Sequence, residues 1–394
     1  MITKNFLVKE FDMGSNPNFT FSKIKKHLKK SYWIDNEFSR PIDKEPYNWY
    51  QYFDEDVITD LRQKNAYLVY NFSNEGYSAI HDNLFAELYK CVEYDISPKQ
   101  IVYITSNLKD EECIKSYAAE INQPEINVFA FPFFESVALT TINDINPKYS
   151  DVSKWTKFCK QAGNSHYTGE KIFFSLSRAN RLERTAGTFL LCQHKLRHYA
   201  YISHDKVQTP MIHDMIEYLN NGQTTDCAAK VRKWSKKLPM IVDRTDFDQN
   251  WAMPEYEFFN LYNRGLFHLV NETWVRDWDN TSLFYSEKTF KCMLTMQPFV
   301  IWGQPGANHA LKDLGYELYD DWFDLSFDFE KDDIKRYRLL LKSVSKAVTE
   351  IRRMPLEKHQ QWRFKNQKVL NHNYENLIKE QGSQIKLEQF LKRL

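Results

Sequence analysis

Short apolar runs alternate with helical patterns along most of this chain. The first part carries three runs of strand length, Tyr67–Phe72, Ile101–Thr105 and Ile126–Ala130. The stretches between them, near Asp82–Val92 and Asp110–Glu120, have the pattern of helices. Continuous apolar runs separated by helices are typical of a parallel sheet that is covered on both faces. The pattern therefore predicts a Rossmann-like β-α-β-α-β lobe.

The same alternation returns in the second part of the chain. Strands are predicted at Lys171–Leu176, Tyr199–Ser203, Leu266–Val270 and Pro298–Trp302. A helix is expected to begin at Ser286, because serine is a preferred N-cap residue and apolar residues follow at helical spacing. In a parallel α/β domain of this kind, ligands bind beyond the carboxyl ends of the strands and close to helix N-termini.

The pattern divides the chain into three regions. Pro147–Thr168 is polar and lacks a strand pattern, so the boundary is predicted near residue 160. This gives an N-terminal lobe over residues 1–160 and a second lobe over 161–330. Residues 331–394 are predicted to be helical, because apolar residues recur on one helical face. The predicted fold class is α/β, with two Rossmann-like lobes and a helical C-terminal tail.

Composition narrows the class of protein. The 394 residues are 42% hydrophobic and 15% aromatic, which excludes a disordered chain, and the net charge of +1 does not demand nucleic acid. There is no apolar run of membrane-spanning length and no signal-peptide core, so a cytoplasmic protein is expected. The six cysteines are scattered without a CxxC pair, so neither zinc nor disulfides are expected.

Candidate chemistry follows the predicted strands of the second lobe. Glu272 comes directly after Leu266–Val270, and Ser286, Glu287 and Lys288 open the predicted helix. A diphosphate is bound by cations and by free backbone N–H groups, and a helix N-terminus that carries a lysine supplies both. Ordinary helix capping is the alternative reading of the same Ser-Glu-Lys run.

The residues between Gly265 and Gly315 resemble a known family. A carboxylate after a strand, a Ser-Glu-Lys helix start, an apolar strand and the turn Gly303–Gly306 resemble the donor-binding lobe of nucleotide-sugar glycosyltransferases with the two-lobed GT-B fold. The resemblance is to the fucosyltransferase and exostosin-like group, including related enzymes common in bacteriophage genomes. It implies that Glu287 holds the ribose hydroxyls and that Lys288 neutralises the phosphates of the donor.

The resemblance also implies an arginine that contacts the donor diphosphate from the loop after Lys171–Leu176. Arg184 is the first choice for this role, and Arg178 and Arg181 are the next. A guanidinium matches phosphate oxygens in a bidentate manner. Surface arginines on a helix are the alternative interpretation.

A glycosyltransferase of this kind moves a sugar from a nucleoside diphosphate to an acceptor hydroxyl. Lysine and arginine would compensate the leaving diphosphate, so no cofactor and no metal are expected. The acceptor needs a general base on the opposite lobe, and Glu75 is the candidate because it follows the first predicted strand. Glu272 is a second candidate base, which could instead orient the donor sugar or the arginines.

Several alternatives stay open. Asp246-Phe247-Asp248 and Asp277-Trp278-Asp279 match the short DxD metal-binding pattern. The acceptor is either a glycan or a hydroxymethylated DNA base, and the basic cluster Lys23–Lys30 favours DNA whereas the low net charge does not. The location would be the host cytoplasm for a phage-encoded enzyme. A sugar epimerase of the same fold and a non-catalytic nucleotide- or glycan-binding protein are the rival classes.

Overall fold

The structure is a computed structural model, and it divides the chain into two compact units. The first unit comprises Met1–Thr140, Trp278–Tyr285 and Glu380–Leu394, and the second comprises Thr141–Asp277 and Ser286–Lys379. The residues that the structure describes are 30–35, 50, 53–73, 84–135, 151–177, 179–221, 227–242, 255–276, 281–379 and 382–394.

The described residues form parallel strands connected by helices, and four α-helices follow the last strand. The strands are β1 (Ser31–Asp35), β2 (Tyr67–Phe72), β3 (Ile101–Thr105), β4 (Asn127–Ala130), β5 (Phe173–Leu176), β6 (Ala200–Ser203), β7 (Phe267–Asn271) and β8 (Phe299–Trp302). The helices are α1 (Glu55–Arg62), α2 (Leu84–Tyr89), α3 (Asp110–Glu120), α4 (Val152–His166), α5 (Leu182–Gln193), α6 (Thr209–Asn221), α7 (Ala228–Ser235), α8 (Glu255–Tyr262), α9 (Glu287–Leu294), α10 (Asp333–Arg352), α11 (His359–Arg363), α12 (Gln367–Lys379) and α13 (Gly382–Arg393).

The first unit contains a four-stranded parallel sheet in the order β1-β2-β3-β4. Its strands β2 and β3 coincide with the predicted runs, and both are buried because they lie in the middle of the sheet. Strand β1 was not predicted, since it lies in an aromatic-rich region without a clear period. The last helix, α13, belongs to this unit, where the rings of Phe390 and Phe129 lie 5.3 Å apart.

A buried asparagine, Asn107, which a buried aspartate holds in place, joins two segments of the first unit. Asp110, at the start of α3, accepts hydrogen bonds from Tyr103 Oη at 2.8 Å and Asn107 Nδ2 at 2.8 Å. Asn107 also donates through Nδ2 to the carbonyl of Thr281 at 3.0 Å, and its Oδ1 accepts from the backbone N–H of Leu283 at 2.9 Å. These bonds explain why residues 281–285 belong to the first unit although the second unit surrounds them in sequence.

The second unit contains a four-stranded parallel sheet in the order β6-β5-β7-β8. The chain moves outward from β5 to β6, returns to the other side of β5 as β7, and continues outward to β8. The strand order therefore reverses between β5 and β7. In open α/β sheets such a switch point leaves a crevice at the carboxyl ends of the strands, where ligands bind.

The predicted α/β class with two parallel sheets is confirmed, and the tail is helical as expected. The unit boundary lies near residue 140, so α4 belongs to the second unit, and the tail divides between the units after Lys379. Buried Arg363 on α11 fixes the tail to the segments that precede β7 and β8, since its Nε donates to the Met296 carbonyl at 3.1 Å and its Nη1 to Asn263 Oδ1 at 2.9 Å. No helix among the described residues is long and apolar enough to cross a membrane.

Replacement by alanine is expected to have opposite effects on stability at two glycines that lie inside helices of the second unit. A Cβ at Gly187 would lie 2.1 Å from Cζ3 of fully buried Trp302, whereas a Cβ at Gly163 would meet the side-chain end of Gln360 at 2.8 Å. We expect Gly187→Ala to lower the free energy of unfolding by about 1–3 kcal/mol, because the indole cannot move out of the core. Gly163→Ala should be neutral or stabilising by up to about 1 kcal/mol, because alanine favours the helix and Gln360 can rotate away.

Urea unfolding of both variants checks this pair of expectations. Equal effects of the two substitutions would show that the contact between α5 and β8 is looser than described.

A buried histidine in the second unit predicts acid sensitivity. His268 stacks against Tyr262 at 4.1 Å and Phe174 at 4.9 Å, and burial followed by the charge of Arg363 lowers its pKa to about 3. Because the unfolded histidine titrates near 6.5, the unfolded chain takes up a proton first as the pH falls. The second unit should therefore lose about 1.4 kcal/mol of stability per pH unit below about 6 from this residue alone.

His268→Phe keeps a flat ring in the stack and removes the titration. Unfolding free energies measured from pH 7 to pH 4.5 should fall less steeply for the variant than for the parent chain. Parallel curves would mean that His268 takes up its proton over the same pH range in the folded and unfolded chains.

Candidate functional site

The candidate site lies at the switch point of the second unit. Its side chains come from the loop after β7, the N-terminus of α5 and the N-terminus of α9. The sequence predicted that Glu272, Arg184 and Ser286 belong to one site, and the structure brings these three residues together.

Glu272 is fully buried directly after β7 and is the centre of the site. Its Oε2 accepts hydrogen bonds from the backbone N–H groups of Thr273 at 3.2 Å and Ser286 at 3.1 Å, and its Oε1 accepts from Thr289 Oγ1 at 2.6 Å. The carboxylate thus joins the loop after β7 to the first turn of α9. Because its oxygens are occupied by these donors, the geometry favours a positioning role over that of a general base.

Arg184 on α5 holds the same loop from the other side. It is 3% exposed, its Nε donates to the carbonyl of Glu272 at 2.9 Å, and its Nη2 donates to Thr273 Oγ1 at 2.7 Å. Burial and the neighbouring Arg181 lower its pKa to about 10, while Glu272 and Glu287 oppose that shift. Arg184 therefore remains a cation at neutral pH and is committed to the loop.

Arg181 precedes α5 and is only partly buried. Its guanidinium carbon lies 4.7 Å from the centre of the Trp274 ring, which is a cation–π contact. Trp274 is the second residue after Glu272, so Arg181 stands beside the same loop as Arg184. Of these two arginines, Arg181 has the more accessible side chain.

The start of α9 carries the remaining predicted residues. Ser286 is the N-cap, as predicted, and its Oγ accepts from the backbone N–H of Lys288 at 3.4 Å. Lys288 Nζ lies 3.0 Å from Ser286 Oγ and 3.2 Å from Glu287 Oε1. The side chains of Lys288 and Glu287 are 24% and 15% exposed, so both reach the surface at the helix N-terminus.

Glu287 is ionised in this setting. Burial raises the pKa of its carboxyl, but the nearby Lys288 and Lys291 outweigh that effect and lower the pKa to about 2. Lys291 in turn has a lowered pKa because of burial, which Glu287 partly offsets. The first turn of α9 therefore presents a carboxylate and a lysine side by side at neutral pH.

Arg336 was not singled out from the sequence, although it supports the site. It is 1% exposed on α10, and its Nη2 donates to the carbonyls of Val275 at 2.5 Å and Gly303 at 3.1 Å. These carbonyls belong to the loops after β7 and β8, so one guanidinium joins both loops. An arginine within a polar helix pattern gives no sequence signal for such a role.

Other predicted residues cannot be placed. Glu75, Arg178 and both DxD sequences, Asp246–Asp248 and Asp277–Asp279, lie outside the described residues. Of the basic cluster Lys23–Lys30, the structure describes Lys30 alone, and it forms an ion pair with Asp60. Among the described residues there is no group of three or more His, Cys, Asp or Glu that could hold a metal ion.

The chain forms two α/β units, each with a parallel sheet. The second unit carries a charged cluster at the switch point of its sheet. No protein-family model matches the chain, and no curated protein does. A solved structure with a weak likeness is the N-terminal domain of trehalose-6-phosphate phosphatase from Candida albicans, at 9% identity and a TM-score of 0.32. The match covers 85% of this chain and 76% of that one. A likeness of this size assigns neither a family nor a function.

The bond between Thr289 and Glu272 gives a stability prediction. Thr289→Val keeps the shape of the side chain but leaves Oε1 of a buried carboxylate without its hydroxyl donor. We expect a loss of about 1–3 kcal/mol in the free energy of unfolding. In a Glu272→Ala background the same change should cost little, because the acceptor is already gone, whereas Thr289→Ser should be tolerated.

A double-mutant cycle measured by urea unfolding isolates the pairwise energy. Additive effects of the two single substitutions would show that the hydroxyl and the carboxylate do not interact.

Proposed function

We propose that this chain is a glycosyltransferase of GT-B type that moves a sugar from a nucleoside-diphosphate donor to an acceptor hydroxyl. The observation that carries the proposal is the cluster at the switch point of the second unit. There, Lys288 and Glu287 reach the surface at a helix N-terminus, and Arg181 stands beside the neighbouring loop. Switch points and helix N-termini are favoured positions for phosphorylated ligands.

The proposed division of roles follows from accessibility. Lys288 turns from Glu287 to the donor phosphates, and the N–H groups of the first turn of α9 add partial positive charge. Glu287, ionised at neutral pH, accepts hydrogen bonds from the ribose hydroxyls. Of Arg181 and Arg184, Arg181 has the more accessible side chain, and Arg184 acts through the loop that it holds.

In the transfer step, the bond between the sugar carbon and the donor phosphate oxygen breaks as the acceptor oxygen attacks. The leaving diphosphate gains negative charge, which Lys288 and Arg181 stabilise. The acceptor hydroxyl gives its proton to a general base, for which Glu75 remains the proposal from the sequence. Glu272 keeps the cations in place during the step because it fixes α9 to the loop after β7.

The acceptor is proposed to be a glycan or a hydroxymethylated DNA base. The reaction is proposed to take place in the cytoplasm, which would be the host cytoplasm if a phage encodes the enzyme. Products distinguish the rival classes. Conversion of the donor sugar without any acceptor would indicate an epimerase. Donor binding without hydrolysis or transfer would indicate a binding protein.

A thermal-shift screen tests the donor site. UDP, GDP, ADP, CMP and their sugars are tested with and without EDTA on the parent chain, Lys288→Ala and Lys157→Ala. A ligand at a hundredfold excess over its dissociation constant stabilises the folded state by about 2.7 kcal/mol. We expect one nucleotide class to raise the melting temperature, with an affinity about tenfold or more weaker in Lys288→Ala, since a charged hydrogen bond is lost.

Lys157 is an exposed lysine on α4, so Lys157→Ala is the matched control and should bind like the parent chain. The absence of a shift with every nucleotide would overturn the proposed donor site. A shift that is equal in Lys288→Ala would move the site away from α9.

A further inference from the structure

A buried aspartate holds His309, which lies seven residues beyond the end of the neighbouring strand β8 (Phe299–Trp302). Asp328 is 1% exposed, and its Oδ2 accepts hydrogen bonds from His309 Nδ1 at 2.8 Å and from the His309 backbone N–H at 2.9 Å. Its Oδ1 accepts from the backbone N–H of Asn308 at 3.1 Å and from Asn308 Nδ2 at 2.6 Å. The carboxylate therefore fixes both the turn after β8 and the orientation of the imidazole.

The orientation leaves one ring nitrogen available. Because Asp328 accepts from Nδ1, that nitrogen carries a proton, and Nε2 is the remaining polar atom of the ring. In the described part of the chain, Nε2 of His309 has no hydrogen-bond partner, and the side chain is 35% exposed. The backbone N–H groups of Asn308 and His309 already attach the turn to Asp328. The additional bond from the imidazole to Asp328 therefore serves to orient the ring, and it directs Nε2 of His309.

An exposed aromatic ring stands next to this histidine. Phe329 is 64% exposed, and its ring centre lies 4.7 Å from that of His309. Among the described residues, Phe329 is the most exposed of the large hydrophobic side chains. A flat apolar face beside a fixed hydrogen-bonding atom is the combination that recognises a planar ring with a polar edge.

The pair lies at the same edge of the sheet as the candidate donor site. Strand β8 pairs with β7, and the backbone N–H of Glu272 donates to the Trp302 carbonyl at 2.9 Å. Arg336 joins the loops after both strands, and the N–H of Gly306 donates to the carbonyl of Asp328 at 2.7 Å. Neighbouring strands lie about 4.8 Å apart, so the loops that follow β7 and β8 begin side by side.

We propose that Phe329 and His309 bind the nucleobase of the donor, with the base stacked on the Phe329 ring and its polar edge hydrogen-bonded to His309 Nε2. Asp328 is the positioning residue. The inference rests on the proposed function for the presence of a nucleotide, and it adds where the base binds. In this proposal Lys288 at the start of α9 binds the phosphates, so the two groups of residues bind different parts of one molecule.

The test compares a nucleotide with a base-free anion. Dissociation constants are measured by calorimetry for the nucleoside diphosphate found in the screen and for pyrophosphate. We expect Phe329→Ala to weaken nucleotide binding by about tenfold, because the base loses the ring on which it stacks. The same substitution should leave pyrophosphate binding unchanged, because pyrophosphate has no base. His309→Ala should weaken the nucleotide in the same selective way, whereas Lys288→Ala should weaken both ligands.

Two further variants keep the test decisive. Phe329→Trp retains a stacking surface and should bind the nucleotide like the parent chain, and Phe158→Ala removes another exposed ring of the same unit as the matched control. Equal nucleotide binding by Phe329→Ala and the parent chain would overturn the inference and leave the proposed function intact. A loss of pyrophosphate binding in Phe329→Ala or His309→Ala would also overturn it. Failure of the parent chain to bind any nucleotide would overturn both proposals.

Discussion

A carboxyl group enclosed in protein has to be met by hydrogen-bond donors, and Glu272 is the place where this constraint organises the second unit. The donors come from the residue that follows it and from the first turn of α9, so satisfying one side chain fixes the angle between a strand and a helix. The positions of Lys288 and Glu287 follow from that angle. The accessible charges of the site are therefore set by a group that does not reach the surface.

Buried arginines extend the same logic to the irregular backbone around the sheet. Arg184, Arg336 and Arg363 are each at most 3% exposed, and each donates to backbone carbonyls at strand or helix ends. Loop carbonyls lack the regular partners that a strand or helix provides, and a guanidinium offers five donors in one plane. Arg184 and Arg336 thus join the loops that follow β7 and β8, and Arg363 joins the segments that precede the same two strands.

The sequence predicted the parts of the fold that depend on local pattern. Strands β2 and β3 and the cap Ser286 are signalled by apolar runs and by residue type, and they lie where the pattern placed them. The strand order could not be predicted, because pairing β5 with β7 depends on contacts far apart in sequence. For the same reason Arg184 was predicted as a phosphate ligand from the loop alone, while its contacts with Glu272 and Thr273 emerge only in three dimensions.

The first unit is assembled from three separated segments of the chain. Residues 281–285 reach Asn107 only after most of the second unit has been made, and α13 supplies Phe390 to Phe129 from the end of the sequence. During synthesis on the ribosome, the N-terminal segment is therefore made well before these partners. Because α13 follows the last residue of the second unit, the second unit can be completed before the first unit has all of its segments.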